Sequence, residues 1–176
     1  MKRTHLAIMV VIVVCALVIA ALFFVIKKSA QHGSSMPTFT PLPEVTVKNL
    51  AGQEIAISSF RTKPLVLDLW ASWCQPCMTQ MSRLAVLKKE FGDKVIIGEV
   101  NRGESAEVVK KYMNQINGSQ ELMFFFDAND LLYQAIRGFL MPETLFVDKE
   151  GNVIYHTRGM RDSIDMRRRI EDLIGR

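Results

Sequence analysis

Residues 65–84, which read LVLDLWASWCQPCMTQMSRL, decide the fold of this chain of 176 residues. The stretch opens with a nearly continuous apolar run, which is typical of a strand buried on both faces of a central sheet. It closes in a segment whose apolar residues recur at helical spacing. These residues are Cys77, Met81, Leu84, Leu87 and Phe91. Cys74 lies just before them, so the pattern places it at the N-terminus of a helix that packs on the sheet.

The predicted position of Cys74 favours a reactive thiol. Unpaired backbone N–H groups and the positive end of the helix dipole stabilise negative charge at a helix N-terminus. In such a setting the pKa of a cysteine falls from about 8.5 to roughly 3.5–7.5. We therefore predict that Cys74 is the nucleophile of a redox-active pair. Cys77, one turn further inward, would attack a mixed disulfide and release the product.

Other uses of a Cys-x-x-Cys pair fit this sequence less well. A structural zinc ion needs four protein ligands, and the one remaining cysteine, Cys15, lies far away in an apolar run. Two inert core cysteines are a second alternative, but the turn after the strand is a poor place for them, and its strand–turn–helix context favours redox chemistry. A different class of function stays open, in which the two thiols and one of Met78, Met141 or Met160 bind Cu(I) as in a metallochaperone.

The first 28 residues predict a membrane anchor. Residues 6–26 are all uncharged and nearly all strongly apolar, with basic residues on either side. A helix of about 20 such residues spans a bilayer, whereas a cleavable signal has an apolar region of only about 7–15. By the positive-inside rule, Lys2 and Arg3 favour an orientation with the N-terminus in the cytoplasm. We therefore expect residues 1–28 to be a retained signal anchor with one transmembrane helix.

The remaining sequence divides into a linker and one domain. Residues 29–43 are rich in Ser, Thr, Pro and Gly without periodicity, which is typical of a flexible tether. Residues 44–176 form the predicted domain. The net charge of +4 is spread along the chain, so it does not indicate a nucleic-acid partner.

Alternating and helical apolar patterns predict a mixed sheet in this domain. An N-terminal hairpin precedes the strand at 65–70, and a helix links that strand to the next, so these two strands should pair in parallel. The predicted strands are 45–47, 54–57, 65–70, 94–100, 122–126, 143–148 and 152–156, and the later helices are 104–116, 131–136 and one that buries Met166, Ile170, Leu173 and Ile174. This order predicts a three-layer α/β/α domain, with helices on both faces of the sheet.

Polar residues in the predicted strands bear on the chemistry. Asp68 interrupts the buried strand, and burial raises the pKa of a carboxyl group. Near the second thiol, Asp68 would accept its proton while the mixed disulfide is resolved. A hydrogen-bonded structural role is the alternative. His156 has no acidic or cysteine neighbour at ligand spacing, so we expect it at the surface, whereas Glu143 and Thr144 are expected to hold the loop beside Pro142 by hydrogen bonds.

Two motifs carry a resemblance to a known family. WCQPC at residues 73–77 follows an Asp-bearing strand, and MPET at residues 141–144 leads into the last hairpin. With these motifs the chain resembles the thioredoxin fold and, more narrowly, the membrane-anchored TlpA/ResA/CcmG group of extracytoplasmic thiol–disulfide oxidoreductases. The resemblance covers the chain from about residue 39 to the C-terminus, including the early hairpin and the helix inserted after the second sheet strand, and it extends to the predicted anchor.

The resemblance implies roles for individual residues. Pro142 would form a cis peptide bond with Met141 and lie opposite the turn that carries the two cysteines. The backbone of Met141 would pair with an extended segment of the substrate, and Trp73 and Pro142 would also bind substrate. Asp68 would take the place of the buried acid of thioredoxins. Neither a cofactor nor a metal ion would be required.

These expectations combine in one functional hypothesis. The chain would be a single-pass protein of the inner (cytoplasmic) membrane of a bacterium, with its domain on the periplasmic or extracytoplasmic side. It would reduce protein disulfides through Cys74 and Cys77, for example in cytochrome c maturation or envelope thiol maintenance. Its expected partners are protein disulfide substrates, such as apocytochrome c or copper-site assembly proteins, and a membrane-embedded thiol reductant. The two residues between the cysteines are Gln75 and Pro76, so no histidine there stabilises the thiolate further. This favours a reductant over an oxidant or isomerase of broad specificity.

Overall fold

The computed structural model of the protein describes residues 41–176, which fold into seven strands and four α-helices. The strands are β1 Thr46–Asn49, β2 Glu54–Ala56, β3 Leu65–Trp70, β4 Ile96–Arg102, β5 Met123–Asp127, β6 Glu143–Val147 and β7 Val153–Arg158. The helices are α1 Gln75–Phe91, α2 Ala106–Met113, α3 Leu131–Ala135 and α4 Ser163–Ile174. Every strand and helix predicted for the domain is therefore present, with ends that differ by a few residues.

The seven strands form one mixed sheet in the order β2-β1-β5-β4-β3-β6-β7. The neighbours β3, β4 and β5 are parallel, whereas β1–β2, β1–β5, β3–β6 and β6–β7 are antiparallel pairs. β3 has a strand on each side, and all six of its residues are buried. This position explains why the strand before the cysteines is apolar except at Asp68.

Alternate residues of β3 point to opposite faces of the sheet. Val66 and Trp70 pack with residues of α1, α2 and α4 in one core. The three leucines of β3 pack in a second core with α3 and with Ile57 of a short 3-10 helix. Helices therefore cover both faces, which confirms the predicted three layers.

Both ends of α1 follow from local chemistry. Cys74 is the N-cap residue with extended backbone (φ −93°, ψ 91°), and Pro76 lies in the first turn, where its missing N–H costs little. The helix ends at Gly92, whose φ of 56° is rarely adopted by residues with a Cβ. Its N–H donates to the carbonyl of Lys88. The position of Cys74 at the helix N-terminus is thereby confirmed.

Helix α2 is shorter than the predicted span of 104–116. It ends at Met113, and the N–H groups of Gln115 and Ile116 donate to carbonyls three residues back, which is turn geometry. Ile116 is nevertheless buried against the same core. Its apolar character therefore extended the predicted helix beyond the observed one.

The folded domain begins before the predicted boundary at residue 44. Leu42, assigned from the sequence to the linker, is buried in the second core, and its N–H donates to the carbonyl of Gly151 over 2.9 Å. The predicted anchor at 1–28 and most of the linker lie outside the described residues. Within 41–176, no helix has both the length and the apolar composition needed to cross a membrane.

Replacing Gly92 by alanine should destabilise the protein by at least about 1 kcal/mol, because positive φ brings a Cβ too close to the backbone. Apart from the local backbone, nothing lies within 4 Å of the place that the new Cβ would take, so the loss reports backbone strain alone. Gly175→Ala is the matched control, since Gly175 ends α4 with an ordinary φ of −74°. Urea unfolding measures both variants, and an unchanged midpoint for Gly92→Ala would contradict the prediction.

Candidate active site

Cys74 and Cys77 form a disulfide at the N-terminus of α1, with their Cα atoms 5.3 Å apart. The backbone N–H of Cys77 donates to Sγ of Cys74 over 3.3 Å. In the reduced protein, a helix N–H in this position stabilises negative charge on that sulfur. Cys77 is fully buried, whereas Cys74 is 4% exposed. Cys74 is therefore the sulfur that another molecule can reach.

An open groove of about 530 Å³ runs past Cys74. It lies between the turn that carries the cysteines and the segment before β6. Its other lining residues are Trp73, Gln75, Pro76, Arg102, Tyr133, Phe139, Leu140 and Met141. Trp73 and Phe139 are 65% and 69% exposed, so large aromatic surfaces flank the groove. Such a surface suits an extended peptide that brings a disulfide to Cys74.

The loop before β6 reaches the same groove. The Met141–Pro142 peptide bond is cis, as the resemblance predicts, and Met141 lines the groove together with Cys74. Oε1 of Glu143 accepts hydrogen bonds from the N–H groups of Phe139 and Leu140 over 2.7 and 3.1 Å. The loop contacts expected for Glu143 are confirmed.

The expectation that His156 lies at the surface is wrong. Its side chain is fully buried, with Nε2 2.6 Å from Oε2 of Glu143. Nε of Arg158 lies 3.4 Å from the other oxygen of the same carboxylate. Burial acts to raise the pKa of Glu143, but hydrogen bonds from His156 and from the backbone of Leu140 and Phe139 outweigh it, so the pKa is lowered. These residues meet because β6 pairs with β7, which their spacing in the sequence does not reveal.

Asp68 is fully buried beneath α1. Its Oδ1 accepts hydrogen bonds from Nε2 of Gln80 and Oγ1 of Thr144, each over 2.6 Å. Among the side chains and backbone of residues 41–176, nothing donates to its Oδ2. Burial raises the pKa of Asp68 to about 7, although both hydrogen bonds act to lower it. The raised pKa predicted from the sequence is confirmed.

Gln80 is a site residue to which the sequence assigned no role. Besides its bond to Asp68, Nε2 donates to Oγ1 of Thr144 over 2.8 Å, and Oε1 accepts from the N–H of Arg161 over 2.9 Å. One amide thus joins α1 to β3, β6 and the segment before α4. Gln80 follows Cys77 by one turn and is fully buried. The sequence feature that could have indicated a role for Gln80 is its position as a polar residue on the apolar face of the predicted helix.

Glu99 is a second buried acid, which the sequence patterns did not reveal. It is the register partner of Asp68 between β3 and β4 and is fully buried. Neither of its carboxyl oxygens has a hydrogen-bond partner in the part of the chain that the structure describes. Burial and the negative charge of Asp68 raise its pKa well above the ordinary value. The sequence feature that could have indicated this buried acid is its position as the single acidic residue in the apolar run at 94–100.

Metal binding has limited support in the described part of the chain. Within residues 41–176, no group of three or more His, Cys, Asp and Glu side chains is arranged to hold a metal ion. Of the methionines considered for Cu(I), Met141 lines the groove together with Cys74. The copper alternative stays a prediction.

The chain is similar in sequence to known proteins. A family model described as the AhpC/TSA family matches residues 39–156. The chain is 28% identical over 154 residues to the thiol-disulfide oxidoreductase ResA of Geobacillus kaustophilus, covering 86% of this chain and 83% of that protein. It is 30% identical over 120 residues to the thiol:disulfide interchange protein DsbE of Vibrio cholerae, covering 67% of this chain and 63% of that protein.

The fold is also found among solved structures. The solution structure of a thiol:disulfide interchange protein from Bacteroides sp. matches with a TM-score of 0.68 at 19% identity. The match covers 81% of this chain and 93% of that one. The predicted thioredoxin-like fold is thereby confirmed.

Asp68→Asn should remove part of the pH dependence of stability. From about pH 4 to about pH 7, folded Asp68 keeps a proton that the unfolded carboxyl has lost. The folded state binds more protons there, so this group lowers the free energy of unfolding as the pH rises, by up to about 1.4 kcal/mol per pH unit. Urea unfolding of the oxidised wild type and variant across this range measures the difference between their slopes.

Asp93→Asn is the control for this measurement, because the side chain of Asp93 is 99% exposed. It should keep the wild-type slope. A wild-type slope in Asp68→Asn would contradict the buried, protonated carboxyl.

Proposed function

Because the chain belongs to the AhpC/TSA family, has a thioredoxin-like fold and is a thiol–disulfide oxidoreductase of the ResA/DsbE type, we propose that it reduces protein disulfides outside the cytoplasm. The observation that carries this proposal is the Cys74–Cys77 disulfide, which lies at a helix N-terminus beside an open groove and a cis proline. The pair carries two electrons itself, so the reaction needs no cofactor.

The first step is attack by Cys74. Its thiolate attacks one sulfur of a substrate disulfide, the substrate S–S bond breaks, and the other sulfur leaves as a thiolate that takes a proton from solvent. The result is a mixed disulfide between Cys74 and the substrate. The N–H of Cys77 supports this role because it already points at Sγ of Cys74.

The second step releases the substrate. Cys77 gives its proton to Asp68, and the resulting thiolate attacks Sγ of Cys74. The bond between Cys74 and the substrate breaks, so the substrate leaves with both sulfurs reduced and the protein becomes the disulfide. Asp68 is suited to this step, because a base whose pKa lies near the working pH transfers protons most effectively.

The groove would hold the substrate in an extended conformation. Met141 lies on its wall with backbone that can pair with a peptide strand, next to the cis bond to Pro142. Trp73 supplies an exposed aromatic surface on the opposite side. These positions support the substrate-binding roles assigned to Trp73, Met141 and Pro142.

The cellular role rests on the sequence of the N-terminal region. With residues 1–28 as a signal anchor and 29–43 as a linker, the domain would work at the outer side of the inner membrane. There it would need a membrane-embedded thiol reductant to restore its dithiol. The substrate class would be extracytoplasmic protein disulfides, with apocytochrome c and copper-site assembly proteins as the first candidates.

Asp68→Asn should slow release from the mixed disulfide by about 100-fold at neutral pH, because the proton acceptor of Cys77 is lost. Attack by Cys74 should keep its rate. Rapid-quench mass spectrometry of the reduced protein with a peptide disulfide separates the two steps, since the mixed disulfide accumulates only when release is slow. Equal slowing of both steps would contradict this role for Asp68.

Cys77→Ala in the full chain should trap substrates in the native envelope, because the mixed disulfide with Cys74 can no longer be resolved. Acid quenching followed by purification and mass spectrometry identifies them. Trapped cytochrome c apoproteins would support a role in cytochrome maturation, whereas a broad mixture would favour the alternative of a general oxidant or isomerase. The double variant Cys74→Ala/Cys77→Ala is the control and should retain nothing. A folded Cys77→Ala variant that traps no protein would count against the exchange mechanism.

A further inference from the structure

Glu99 is a buried acid that has no role in the proposed reduction of substrate disulfides. It lies in the parallel register of β3 and β4 next to Asp68, and neighbouring strands are about 4.8 Å apart. Register partners in a parallel pair project to the same face of the sheet, which here is the face that packs against α1. Its partner on the other side, Phe124, is apolar. A carboxylate without hydrogen bonds is too costly in such a site, so Glu99 holds a proton there.

The side chains around Asp68 and Glu99 make the two acids differ in how readily they lose a proton. Gln80 from α1 and Thr144 from β6 both donate to Asp68, and neither donates to Glu99. Within residues 41–176 no Lys, Arg or His forms an ion pair with either carboxyl. Arg161 reaches the pair only through its backbone N–H, which binds Gln80. Two adjacent buried carboxyls do not both ionise, so Asp68 loses its proton first and Glu99 keeps its own.

Two acids whose environments differ in this way can serve opposite proton transfers. We propose that Glu99 is the proton source for the return half of the cycle, in which a dithiol reductant restores the Cys74–Cys77 dithiol, and that it acts through Asp68. Glu99 therefore holds a proton in reserve and acts on Cys77 only through Asp68. This inference rests on the proposed function of the same pair.

Reduction of the Cys74–Cys77 disulfide takes two exchange steps. A thiolate of the dithiol reductant attacks Sγ of Cys74, the Cys74–Cys77 bond breaks, and Cys77 leaves as a thiolate. Asp68 accepts the proton of Glu99 and gives a proton to Cys77, and Glu99 later regains a proton from solvent. The second thiolate of the reductant attacks the mixed disulfide, which releases the Cys74 thiolate and leaves the reductant oxidised.

The test compares the two halves of the cycle in Glu99→Gln, a substitution of nearly the same shape. The rate of reduction of the oxidised full chain by dithiothreitol is measured at several pH values and divided by the wild-type rate. This ratio should be near one at about pH 6, where Asp68 itself carries a proton, and should fall at least about tenfold at about pH 8.5. Reduction of insulin by the reduced variant should keep its wild-type rate.

Glu107→Gln is the control, because this glutamate of α2 lies outside the buried pair, and its ratio should stay near one throughout. A pH-independent ratio in Glu99→Gln, or equal slowing of both halves, would overturn the inference. Infrared spectra of the oxidised wild type offer a second measurement that needs no variant. A protonated carboxyl band should persist at about pH 8.5, and its absence would also overturn the inference. Failure of dithiothreitol to reduce the wild type would instead refute the proposed function.

Discussion

The hydrogen-bonded contact among Asp68, Gln80 and Thr144 is the interaction on which the rest of the active site depends. It joins the helix that begins at the cysteines, the central strand and the strand that follows the cis proline. Each hydrogen bond contributes about 0.5–1.5 kcal/mol, or about 1.5–3 kcal/mol once Asp68 is ionised, and a buried polar group left without its partner costs about 1–3 kcal/mol. The contact therefore fixes where the cysteine turn and the loop before β6 lie relative to each other, and it holds Asp68, the proposed proton acceptor of Cys77.

The identity of residue 80 matters for this arrangement. An amide offers two N–H donors and one acceptor, and Gln80 uses both kinds of group, towards Asp68 and Thr144 and towards Arg161. An ionised carboxylate at this position could only accept hydrogen bonds, and it would place a negative charge beside the two buried carboxyl groups of Asp68 and Glu99. The buried polar layer is thus built from two acids and a neutral bridge. Its cost is offset by the apolar cores on both faces of the sheet.

A second buried network supports the side of the groove that Met141 lines. Glu143 holds the backbone of Phe139 and Leu140 and is itself held by His156 and Arg158. The loop that ends in the cis proline is therefore anchored from β7, behind the groove. Such anchoring holds the loop in one conformation, so the proposed pairing with a substrate strand would not first require the loop to become ordered.

The sequence by itself determined the elements and the reactive pair, because both depend on local patterns. Cys74 can be placed at a helix N-terminus from apolar alternation, helical periodicity and a Cys-x-x-Cys turn after a buried strand. The raised pKa of Asp68 can be predicted because this acid interrupts the buried strand. The resemblance supplied the cis bond at Pro142. Only the tertiary structure decided that Glu99 lies beside Asp68 and that His156 is buried against Glu143. These contacts depend on strand order and register, which bring together residues far apart in the chain and which no local pattern specifies.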